Sequence, residues 1–136
     1  MAYTDVAIDR KIVAGMMPAK VTIAGAAVNA GDPLMYSSGW KLATNSSGHP
    51  AILIAGEAGA VGDIITAYGM AIVEVTHTAA NVPTMGAQIA VADTGIYAEA
   101  GTGLQDVGYV VEIDADSLHS RLLLCPMIVE LDLAGT

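Results

Sequence analysis

Gly31-Asp32-Pro33-Leu34-Met35-Tyr36 and Gly86-Ala87-Gln88-Ile89-Ala90-Val91 decide the reading of this chain. Each is a glycine turn that enters a short apolar strand. Each leads to a second turn, Ser38-Gly39-Trp40 in one case and Thr94-Gly95-Ile96 in the other. Ala51-Ile52-Leu53-Ile54 then matches Asp106-Val107-Gly108-Tyr109, and Ala71-Ile72-Val73-Glu74-Val75 matches Met127-Ile128-Val129-Glu130-Leu131, all at an offset of 55 or 56 residues. Gly69 precedes the last strand of the first copy and Cys125-Pro126 that of the second. A fixed offset over turns, strands and both glutamates is the mark of an internal repeat. One copy alone would have a marginal core, whereas two facing copies share one.

Working outward from the repeat, the rest of the chain also reads as strand and turn. Lys20-Val21-Thr22-Ile23, Asp63 to Tyr68, Val107 to Ile113 and Arg121 to Leu124 alternate or run apolar. Between the strands lie Asn45-Ser46-Ser47-Gly48, Asp93-Thr94-Gly95 and Gly101-Thr102-Gly103. Glycine permits φ > 0, and Asp, Asn and Ser bond back to their own backbone, so these clusters are turns. No stretch repeats apolar residues at helical spacing. Short strands at close, regular intervals predict an all-β domain, a compact β-barrel or β-sandwich.

Composition narrows the class. The 136-residue chain is 54% hydrophobic and 14% charged, with no Phe and one Trp, so little of its surface can be charged. That predicts a surface partly covered by another protein. The longest charge-free stretch, Val75 to Ala92, holds Thr76, His77, Asn81, Pro83 and Gln88, which argues against a membrane span. The N-terminus lacks the apolar core of a signal peptide. Cys125 is alone, so no internal disulfide is expected. The net charge of −9 makes nucleic acid a poor partner. The charge is uneven: residues 1–41 carry a net +1 and residues 42–136 a net −10. We read residues 1–27 as an extended N-terminal arm and first strand. Residues 28–136 read as the duplicated β-domain, with units at about 28–76 and 82–132.

Residues with chemistry are scattered. His49, His77 and His119 are too far apart in sequence for a metal pair, and no Cys-x-x-Cys is present. Cys125 with a distant histidine would make a nucleophile pair, but beside Pro126 it reads as a small buried apolar residue. Ser117 to Ser120 with Asp114 and Asp116 lack a nucleophile-elbow context. Asp114-Ala115-Asp116-Ser117 reads as a solvated hairpin loop, with weak cation binding through oxygen as the alternative. The Gly-rich run Gly56 to Gly62 has no Lys and precedes a strand, unlike a phosphate cradle. Trp40 serves equally well as a core residue or an interface anchor. No enzymatic activity, metal or cofactor is expected.

The order of turns and strands resembles that of the capsid cement (decoration) proteins of tailed phages, a broad family whose unit runs from a Gly-Asp turn to a Val-rich closing strand. The resemblance spans about residues 28–132. It rests on Ala30-Gly31-Asp32-Pro33-Leu34, Ile52 to Glu57, Gly62-Asp63 and Ile72 to Val75. In the second copy it rests on Gly86, Gly95, Val107 to Glu112 and Ile128 to Leu131. Leu53, where the family commonly has Gly, and the Cys125-Pro126 break depart from it. The resemblance implies a β-tulip-like structural virion protein on the capsid exterior, made in the host cytoplasm. It would be a homotrimer that binds the major capsid protein, with no role for nucleic acid or membrane. The arm's candidate capsid contacts are Tyr3, Val6, Ile8, Arg10, Lys11, Ile12, Met16 and Met17. Residues 1–18 are expected to be mobile in the free protein, and residues 2–15 to be dispensable for folding of the β-body. The alternative function is a carbohydrate- or receptor-binding β-barrel module on a virion or cell surface.

Overall fold

The computed structural model of the chain describes residues 3–4, 9–45, 48–99 and 104–127. The protein is all-β, a curled antiparallel sheet that forms a half-barrel. Its strands are β1 (Arg10–Thr22), β2 (Pro33–Tyr36), β3 (Trp40–Leu42), β4 (Ala51–Ala55), β5 (Ile64–Thr76), β6 (Gln88–Asp93), β7 (Ile96–Glu99), β8 (Gln105–Ile113) and β9 (His119–Leu124). They are ordered β3-β2-β4-β5-β9-β8-β6-β7, with β1 laid along β5. Among the described residues no helix is long and apolar enough to cross a membrane.

β5 is the spine. Asp63 to Tyr68 and Ala71 to Val75, read above as separate strands, are one strand of 13 residues. Gly69 does not break it, because β1 spans both halves, from Arg10↔Val75 to Thr22↔Ile64, with a bulge between Ile12 and Ala14. On its other edge β5 changes partner. Tyr68 and Ala67 pair with β4, and Ala71 to Thr76 pair with β9. Ile65, Ala67, Ala71, Val73 and Val75 alternate inward and are buried, as a pleated strand with one core face requires.

The core lies in two parts. The larger holds Val73, Val75, Ile89, Tyr97, Val110, Leu122 and Leu124, together with Met35, Ala51 and Ile54 from the first half of the chain. The smaller holds Val21, Ile23, Val28, Leu34, Ala55, Ile65 and Ala67, with Trp40 packed against it. Trp40 also meets the half-exposed Tyr36 edge-on, ring centroids 5.4 Å apart, so it is partly core and partly surface.

The strand registers recur along the chain. β2 meets β4 as Pro33↔Ile54 and Leu34↔Leu53, then Met35↔Ala51 across a bulge. β6 meets β8 as Gln88↔Tyr109 and Ile89↔Gly108, then Ala90↔Asp106 across a bulge. Each residue of the second set stands 55 positions after its counterpart. The same offset relates Ile54↔Tyr68 and Ala55↔Ala67 to Tyr109↔Leu123 and Val110↔Leu122. β9 therefore stands to β8 as the middle of β5 stands to β4. The run 128–131, matched above to residues 72–75, lies outside the described residues. The hairpins differ: Tyr36 pairs Trp40, whereas Asp93 pairs Ile96 across a tighter turn.

The N-terminal segment differs from a free arm. Residues 10–22 are strand β1, a full partner of β5. Thr4 bridges Ala98, and Tyr3, read as a capsid contact, is 1% exposed. The apolar pattern did not reveal β1 because most of the strand is solvent-exposed. Its pairing is fixed by β5, which lies far away in sequence.

Candidate functional site

His77 and Ser120 form the closest likeness to a catalytic pair. His77 Nε2 lies 2.7 Å from Ser120 Oγ, and its Nδ1 lies 3.1 Å from the Thr78 carbonyl oxygen. A carbonyl only accepts, so Nδ1 is the donor to Thr78, and Nε2 pairs with the Ser120 hydroxyl. Ser120 has no exposed surface and His77 is buried against the Tyr3 ring. A nucleophile without access to substrate performs no chemistry, so the pair ties the end of β5 to β9. Cys125 is also buried, and desolvation pushes its thiol pKa up, away from the reactive thiolate.

At the β8–β9 turn, Asp114, Asp116 and His119 bring ligand atoms within 4.8 Å of one another. Arg121 is already there. It donates to Asp114 (2.9 Å), to Glu74 (2.9 Å) and to Glu112. One guanidinium thus serves three carboxylates, and a metal ion at Asp114 would have to compete with it.

Arg10, named above as a capsid contact, is buried instead. Its Nη1 is 2.6 Å from Asp32 Oδ1 and its Nη2 donates to the Gly95 carbonyl at 2.7 Å. Its guanidinium lies 4.6 Å from the centre of the Tyr97 ring. Tyr97 donates to the Gly31 carbonyl (2.7 Å), and Asp32 Oδ2 accepts from the Asn29 amide (2.8 Å). The cluster joins β1, the turn before β2 and the β6–β7 hairpin. A buried charge needs such partners, so Arg10 is occupied in holding the fold.

The other sequence-named residues divide. Lys11, Met16 and Met17 are exposed, Ile12 is partly buried against the larger core, and Val6 and Ile8 lie outside the described residues. Val13, 49% exposed, joins Met16 and Met17 on the surface. The cross-strand registers extend this surface. Met16 stands opposite Met70, Ala14 opposite Ile72, and Ile72 opposite Leu123. Ala14, Met16, Met70, Ala71, Ile72 and Leu123 line an apolar groove of about 60 Å³. It lies where β5 exchanges β4 for β9. The adjacent row is charged: Lys11, Glu74, Arg121 and Glu112 face one another across four strands.

The sequence reading missed Met70, Ile72 and Leu123. A signal was present in the unbroken runs Met70-Ala71-Ile72-Val73 and Leu122-Leu123-Leu124, since a strand covered on one face only alternates with polar residues.

The sheet's edges differ in protection. β3 is covered by its own chain, through Ile23↔Trp40 and the Ala24 amide donating to the Trp40 carbonyl. β7 is covered by Tyr3 and Thr4, with the Glu99 amide donating to the Tyr3 carbonyl. β1 pairs only with β5, and its outer edge has no paired strand among the described residues.

No family model matches the chain, and neither a curated protein nor a solved structure matches it.

Proposed function

We propose that this protein is a structural virion protein that binds the outside of an assembled phage capsid and bridges its major capsid subunits. It is built from two related β-units, residues 28–76 and 82–132, and acts as a homotrimer. The observation that carries this reading is the 55-residue recurrence of strand register, with a bulge at the same place in β2–β4 and β6–β8. A recurring register is what a chain built from two copies of one β-unit would have, and this supports the reading. The side chains with chemistry agree with a binding role, since His77, Ser120, Arg10 and Arg121 are each engaged within the fold. The function is then mechanical. A protein that binds only the assembled, expanded shell stabilises that state by its binding free energy, and many copies on one lattice compound the effect.

Sedimentation tests it. The purified chain, mixed with expanded, undecorated shells of the phage that encodes it, is expected to pellet with them and to raise their melting temperature. Unexpanded shells should leave it in the supernatant. In free solution, sedimentation equilibrium should give three times the chain mass of 13.8 kDa. A chain that stays soluble beside expanded shells is not a cement protein.

A further inference from the structure

We draw no further inference here: the strongest candidate, the apolar groove between β1, β5 and β9 lined by Ala14, Met16, Met70, Ala71, Ile72 and Leu123, carries nothing because nothing in the structure shows what covers it.

Discussion

At the scale of single residues, two buried ionisable groups behave in opposite ways. Arg10 is held by Asp32, the Gly95 carbonyl and the Tyr97 ring, with both ionic side chains nearly inaccessible. Removing one partner leaves the other charged and buried, so Arg10→Ala should destabilise the fold by about 3–5 kcal/mol. Adding Asp32→Asn should recover part of that loss, and the cycle is read by urea unfolding. Asp106 is the opposite case. Its carboxyl is buried on β8, its Oδ1 has no hydrogen-bond partner, and desolvation raises its pKa above the ordinary aspartate value. The unfolded chain therefore loses this proton at lower pH than the folded one, so ionisation costs stability as pH rises through that interval. Asp106→Asn should melt higher than wild type at pH 7, and the difference should shrink as pH falls below the ordinary aspartate range. An unchanged difference would mean that Asp106 carries no such cost. Gly108 shows how closely β8 packs against β9: a Cβ there would lie 2.0 Å from the Leu123 carbonyl oxygen. Its counterpart 55 positions earlier is Leu53, where β4 has not yet reached its pairing with β5 at Ile54. Leu53 thus falls where no neighbouring β5 backbone is paired.

At the scale of elements, β1 changes the meaning of the N-terminal segment. It covers the whole length of β5 and delivers Arg10 to the junction between the two halves. Deleting residues 2–15 would remove Tyr3, Arg10 and the pairs from Arg10↔Val75 to Gly15↔Ala71, leaving the middle of the sheet with an open edge. The truncated chain should therefore lose its cooperative thermal transition by circular dichroism, contrary to the expectation for a dispensable arm. A truncated chain that melts like the full one would restore the arm reading.

At the scale of the whole molecule, the two halves are not independent. The larger core takes Met35, Ala51 and Ile54 from the first half and Ile89, Tyr97, Val110 and Leu122 from the second. β5 is paired to β4 in one half and to β9 in the other. A chain cut after residue 80 keeps the smaller core but exposes the inner face of β5 beyond Met70. Such a fragment should remain unfolded, since a unit this small cannot bury enough apolar surface alone. The full chain should unfold in one transition, and two-step urea unfolding would show that the halves are separate.

The sequence by itself determined the all-β class and, among the described residues, turns such as those at Gly31, Gly39, Gly86 and Gly95. Those features follow from local chemistry: glycine in turns, Asp and Ser bonding to their own backbone, and apolar residues in short runs. It left Trp40 open between core residue and interface anchor; the structure packs it against the smaller core and edge-on to Tyr36. Only the tertiary structure decided that β1 begins at Arg10, that Arg10 and Tyr3 are buried, and that Met16, Met70, Ile72 and Leu123 meet on one face. The physical reason is separation along the chain. β1 is a strand because β5 lies beside it, with Arg10 opposite Val75. Arg10 is buried because Asp32 and Gly95 converge on it, and no window of neighbouring residues contains those partners.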